Sequence, residues 1–229
     1  GPGLSYFVGS TTPRGHMLPT VIGAYRLQQM ALALAADAVI VDTTGLVDSA
    51  QGGKALKQWK IELLAPGMVI GLQRSRELEP ILWPLRHDGR VRSVEIRVSP
   101  HVKVRSREAR IAWRRERLAR YFAGTKSRLV DLRQIAIYDL ERLAVGSILG
   151  FQDAQGFCLG LGAVEQAEHR QGAIAVRTPL PDLEKVASLR FGVLRWDLAN
   201  QRELGSRSIW QHWQPRTRMM KPKLREVQA

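Results

Sequence analysis

VIVDTTGLV, running from Val39 to Val47, is the stretch on which the fold turns. An apolar, β-branched run (Val39, Ile40, Val41) ends in the acid Asp42, the hydroxyls of Thr43 and Thr44, and Gly45. β-Branched residues suit a pleated, buried strand. In α/β sheets, ligands gather beyond the carboxyl ends of the strands. An aspartate there can hold Mg²⁺ directly or through water, and the hydroxyls and backbone behind it can face phosphates. The plainer alternative is Asp42 as the cap of a turn. Strands of this kind normally work beside a G-x-x-x-x-G-K-[ST] loop, and no part of the 229 residues matches that pattern.

Outward from this stretch, hydrophobic periodicity sets the neighbours. Leu4 to Val8 reads as a short strand, followed by the polar loop GSTTPRGH. Ile22, Leu27, Met30, Ala31 and Leu34 fit a helix over Val21 to Ala36. Asp37 to Asp42 reads as a buried strand, and Lys54 to Leu64 as a helix that Pro66 stops. Gly67 to Gln73 is a second apolar strand. Ser75 to Leu82 reads as a helix with Ser75 as cap and Glu77 and Glu79 in its first turn. Val91 to Val98 is a third strand, and Ser106 to Tyr121 a further helix. Alternating strands and helices predict a parallel, helix-covered sheet.

After about Lys126 the pattern changes. SILGFQD, GFCLGLGAVEQAE, GAIAVRTP and LRFGVLRWDL read as short strands separated by glycine and polar residues. They predict a small all-β module, a barrel or a sandwich. The expected division is residues 1–125 and 126–229, the latter ending in a basic, loose tail, WQHWQPRTRMMKPKLREVQA.

The charge is unusual. Lys and Arg number 35 against 21 Asp and Glu, a net charge of +14. Such a surplus attracts polyanions, whether RNA, DNA or an acidic membrane surface. The sole cysteine, Cys158, excludes an internal disulfide or multi-cysteine metal site and reads as a small buried residue. No apolar run is long enough to span a bilayer, and no signal peptide is recognisable at the start. The expectation is a cytoplasmic protein with no membrane partner.

The positive charge concentrates in VKVRSREARIAWRRERLARYF, where eight Lys or Arg residues face only Glu108 and Glu116. Arg107, Arg110, Arg114 and Arg117 share one helical face, and Ile111, Leu118 and Phe122 form an opposing apolar seam. Like charges at this spacing repel, and anions relieve them. Arginine also suits bidentate phosphate contacts, although a solvated basic face remains the bland alternative. In the loop after the first strand, Ser10, Thr11, Thr12, Arg14 and His16 can approach a phosphate or a nucleic-acid end. His16 can be an acid or base there, though a lone loop histidine is more often neither. Gln73 and Arg74, at another strand end, can bracket a base or phosphate, or merely begin a capped helix.

SYFVGSTTPRGHMLP, ADAVIVDTTGLV, GKALKQWKIELLAP, VIGLQRSRELEPIL and VSPHVKVRSREARIAWRRERLARYFAG occur in that order. The ordered set resembles the polynucleotide 5′-hydroxyl kinases of the cleavage-factor and ribosomal-RNA-processing type, well over residues 5–125 and loosely beyond. The resemblance implies an α/β, P-loop NTPase-type parallel sheet with helices on both faces, followed by a small β-rich domain. It implies transfer of the γ-phosphate of ATP or GTP to the 5′-hydroxyl of RNA or DNA, with Mg²⁺. Arg105 and Arg110 match the two lid arginines that steady the transferring phosphoryl group. Asp42 to Gly45 match the Walker-B-like segment, with Asp42 toward the metal and Thr43, Thr44 and Gly45 toward the nucleotide. The VGSTTPRGH loop matches part of the clasp on the nucleic-acid end.

Two departures stand out. Leu46 occupies a position where some members carry tryptophan, which removes a stacking surface. GGKAL, Gly52 to Leu56, does not replace the phosphate loop, because Ala55 stands where the metal-binding hydroxyl belongs. The chain is therefore expected to be the C-terminal part of such a kinase, inactive or nearly so by itself. The alternative is a non-catalytic nucleic-acid-binding module. An incomplete parallel sheet exposes an edge and an apolar face. The isolated chain should therefore aggregate or self-associate, and a sharp, reversible monomeric melt would contradict this.

Overall fold

The structure is a computed structural model that describes residues 3–103, 106–168 and 172–204. The first half carries helices α1 (Met17–Ala33), α2 (Gly53–Leu64), α3 (Glu79–Arg86) and α4 (Arg107–Phe122), with strands β1 (Met68–Gln73) and β2 (Arg92–Arg97). The second half is β3 (Lys126–Asp131), β4 (Ala136–Tyr138), β5 (Ser147–Gln152), β6 (Cys158–Glu168), β7 (Ala173–Thr178), β8 (Ser188–Asp197) and β9 (Arg202–Leu204).

β1 and β2 pair in parallel, from Met68 opposite Arg92 to Gln73 opposite Arg97. α2 stops at Ala65, whose φ of 41° lies in the left-handed region, immediately before Pro66. α3 makes the crossover and packs on β1 where Gly71 has no side chain: a Cβ there would lie 2.7 Å from Leu82 Cδ1. Arg86 fastens this unit by donating to Glu79 at 2.8 Å and Glu95 at 2.9 Å. The alternate residues of β1 (Met68, Ile70, Leu72), with Ile96 of β2, are exposed.

The second half is one seven-stranded sheet, ordered β3-β7-β6-β5-β8-β4, with β9 also on β8. All pairs are antiparallel except β4 with β8. β5 is buried at every position. Leu149 and Phe151 join Val130, Val164, Ile174, Val176, Leu189 and Phe191 in one core. Ile148 points the other way, into a second core with Leu118 and Phe122 of α4, Ala163 and Trp196.

The N-terminal segment also rests on this sheet. Cys158 donates its N–H to the Ser5 carbonyl at 2.8 Å, and Val193 donates to Gly9 at 2.8 Å. Gly150 leaves room for the Phe7 ring, since a Cβ would lie 2.5 Å from Phe7 Cγ. Arg26 of α1 lies 5.0 Å above the Phe157 ring, in the turn between β5 and β6. The expected boundary near residue 125 falls between α4 and β3, yet α4 packs on the sheet that follows.

Several expected elements differ. Residues 38–48 form no strand, and Ile40 is 95% exposed. A strand needs a neighbour to accept its ladder, and among the described residues none pairs with this one. Leu4 to Val8 forms no strand; among the described residues its backbone bond to the sheet is the one from Cys158 to Ser5. The helix expected from Ser75 begins at Glu79, with Pro80 in its first turn. Glu77 instead folds back to accept from the N–H groups of Arg74 and Ser75, at 2.7 and 2.9 Å. β3, β4 and β9 escaped notice because they are short or rich in charge. The basic tail lies outside the described residues.

Phe151→Ala, in the strand covered on both faces, should lower stability by about 3–5 kcal/mol, measured by urea unfolding.

Candidate active site

Asp42, Thr43, Thr44 and Gly45 lie in an exposed segment against α2. That helix presents Gly53, Leu56, Lys57, Lys60 and Leu64 as its buried face. Lys57 Nζ donates to Thr43 Oγ1 at 2.8 Å and also to the Thr44 carbonyl. Lys57 and Lys60 are only 8% and 7% exposed. Burial, aided by the charge of Lys60 and opposed by Asp42, pushes the Lys57 ammonium down to about 8. Burial also lowers Lys60, again against the pull of Asp42. One carboxylate thus faces two ammonium groups.

The start of α2 is tucked under the same segment. Gly53 donates its N–H to the Asp48 carbonyl at 2.7 Å. A Cβ on Gly53 would lie 2.6 Å from the Val47 carbonyl carbon. Asp48 closes the turn by accepting from the Ala50 N–H at 2.9 Å. Sequence reasoning missed Lys57 and Lys60. The available signal was Lys60 standing four residues from both Leu56 and Leu64, in the middle of an apolar seam.

The loop before α1 is held by its own hydroxyls. Ser10 Oγ accepts from the Thr12 N–H at 3.2 Å, and Thr12 Oγ1 from the Arg14 N–H at 3.4 Å. Thr11 and Arg14 are exposed. His16 is the residue preceding α1; its Nδ1 lies 3.3 Å from the Arg14 carbonyl, and its buried Nε2 has no partner. Gln73 is buried and fully engaged: its amide donates to Glu79 at 3.2 Å and accepts from the Leu78 N–H at 3.1 Å. It orders the entry to α3, while the Arg74 side chain is exposed.

Ser106 caps α4 by accepting from the Ala109 N–H at 3.1 Å. The arginines of this helix divide. Arg114 is bound bidentately by Glu203 of β9, at 2.5 and 3.0 Å, and Arg115 donates to the Gln201 carbonyl at 2.7 Å. Arg117 lies 4.6 Å from the centroid of the Trp113 ring. Arg107 and Arg110 are exposed, and Arg105 lies outside the described residues. Ile111 is exposed, so the apolar seam that packs on the sheet begins only at Leu118. Among the described residues, no hydrogen bond or ion pair of α4 reaches Asp42, Gln73 or the loop before α1. Cys158 donates its S–H to the Gly160 carbonyl at 3.4 Å, and burial pushes its thiol up to about 11, which suits a packed thiol rather than a nucleophile.

Lys57 makes the site sensitive to alkali in a definite direction. Its folded value is about 8, against 10.5 ordinarily. Between these values the unfolded chain binds the extra proton, so its contribution to stability rises with pH across that window. Urea midpoints of wild type, compared with Lys57→Met, should show a steeper rise in the wild type, since the lowered Lys60 remains in both.

Residues 2–124 match the family described as mRNA cleavage and polyadenylation factor CLP1 P-loop. A protein of Pyrococcus abyssi named polyribonucleotide 5′-hydroxyl-kinase is 27% identical, over 83% of this chain and 68% of that protein. One of the same name from Methanocaldococcus jannaschii is 28% identical, over 89% of this chain and 71% of that protein. Among solved structures, Clp1p in complex with Pcf11p matches with a TM-score of 0.54 at 15% identity, over 76% of this chain. The chain spans about half, 51%, of the length of that Clp1p. The family match covers more than half of the sequence and the whole α/β part, and the fold agrees: this chain belongs to the CLP1 P-loop family.

Proposed function

We propose that this chain is part of a polynucleotide 5′-hydroxyl kinase, which transfers the γ-phosphoryl group of ATP or GTP to the 5′-hydroxyl of RNA or DNA. The observation that carries the reading is the exposed Asp42–Gly45 segment, tied to α2 through the Thr43 hydroxyl and the Thr44 carbonyl, which both accept from the Lys57 ammonium. The names of the archaeal relatives support it.

In this reading Thr43, Thr44 and Gly45 face the donor phosphates, and Asp42 holds Mg²⁺ directly or through water. The residues fit such an ion only in part. Among the described residues no group of three or more His, Cys, Asp or Glu could hold a metal. A single carboxylate suits Mg²⁺ that arrives with the nucleotide phosphates and keeps several waters. When bound, the ion neutralises charge on the donor phosphates. Arg110, and Arg105 five residues before it, steady the phosphoryl group in transfer. Ser10, Thr11, Thr12, Arg14 and His16 meet the nucleic-acid end, with Arg107 on its backbone. Arg114 joins them only if it leaves Glu203.

A second reading, a nucleic-acid-binding module without catalysis, draws on the charge of +14 and the exposed arginines of α4. Both readings require that nucleic-acid binding weaken steeply with salt. They part on catalysis. In the longest natural form of the protein, Arg110→Ala should cut turnover roughly a hundredfold or more, in the manner of a lost transition-state arginine. Nucleic-acid affinity should fall far less. The 229-residue chain, which has no G-x-x-x-x-G-K-[ST] loop, should not label 5′-hydroxyl RNA with ATP. Equal losses of turnover and affinity, or no activity in the longest form, would favour the binding module.

A further inference from the structure

The Thr43–Thr44 segment lacks what normally fixes a strand end. Among the described residues, no backbone–backbone hydrogen bond reaches residues 37–47. Its hydrogen bonds to the rest of the chain come from one side chain, Lys57, which donates to Thr43 Oγ1 at 2.8 Å and to the Thr44 carbonyl. Lys57 comes from the face of α2 that also buries Leu56 and Leu64. A buried ammonium is costly unless it finds acceptors, so the helix and the segment hold each other. Gly53 permits the approach, because any Cβ would strike the backbone of Val47 and Asp48.

The direction of the bond matters. An ammonium only donates, so Thr43 Oγ1 must accept from it. The Thr43 hydroxyl hydrogen is then left to point at another acceptor. Thr43 is exposed, so that acceptor can come from outside the chain, and beside the Lys57 ammonium an anionic oxygen is the best suited. We propose that Lys57 is a positioning residue: it fixes the Thr43–Thr44 segment in place of strand pairing and turns the Thr43 hydroxyl into a donor for a phosphate oxygen of the nucleotide. The inference rests on the kinase reading for the identity of the anion, but the clamp itself does not.

Two measurements separate these parts. In the 229-residue chain, ¹⁵N relaxation reads the Thr43, Thr44 and Gly45 amides. Lys57→Met should drop their order parameters from the rigid range, about 0.85, to below about 0.6, with β1 unchanged. Lys57→Arg, which keeps charge and donors, should restore them at least in part. In the longest natural form, Lys57→Met should raise the KM for ATP about tenfold, the loss expected of a charge-assisted hydrogen-bond arrangement. The KM for nucleic acid should hold within about twofold. Should Lys57→Met fail to fold, Thr43→Val removes one acceptor of the clamp and the proposed donor together but leaves the Lys57 bond to the Thr44 carbonyl, so it must raise the KM for ATP and loosen the Thr43 amide at least in part. Unchanged order parameters overturn the clamp. Loosening with an unchanged KM for ATP overturns the positioning role. Lack of kinase activity in the wild-type longest form overturns the kinase reading instead, and relaxation still decides the clamp.

Discussion

A strand keeps its backbone hydrogen bonds only in the company of a neighbour, and both halves of this protein are organised by that requirement. In the second half it is met fully. β5 is paired on both edges and covered on both faces, so the sheet grows outward from it. Among the described residues of the first half it is met by β1 and β2 alone. Residues 38–48, β-branched and apolar, remain irregular and exposed for want of a ladder. What orders them at Thr43 and Thr44 is a lysine, not a strand.

The sequence made the helices and buried strands legible because their signals are local. Ser106 as a cap, Pro66 as a stop and the apolar runs of β1 and β5 each carry their meaning within a few residues. Two kinds of feature were illegible. Pairing is non-local: Val39 to Val41 have the composition of a strand, and nothing in them says whether a neighbour is at hand. Burial of charge is the other. Lys57 and Lys60 look like solvated helix residues, and only packing shows them turned toward Thr43 and Asp42. The arginine face of α4 was legible as a stripe, but its division was not, because Glu203 lies 89 residues beyond Arg114.

The chemistry follows from where charge has been neutralised and where it has not. Glu203 and the Gln201 carbonyl absorb Arg114 and Arg115, so these residues act as ties between α4 and the sheet. Arg110 and Arg107, one and two turns before Arg114, have no such tie among the described residues and face solvent. Asp42, Lys57 and Lys60 repeat the arrangement at the other site, with one acid among two bases. Both places hold positive charge in excess of what the protein itself compensates, which is the condition for receiving phosphate.

The seating of α4 on the sheet has a mechanical consequence. Leu118 and Phe122 are sunk in a core with Ile148 and Trp196, and Arg114 is pinned to β9. A helix rooted in this way cannot swing as a separate flap. Any closing stroke that carries Arg110 toward a ligand must either bend α4 ahead of Leu118 or move the whole β-rich body as one rigid arm. In the second case, the β-rich sheet becomes the lever that drives the chemistry.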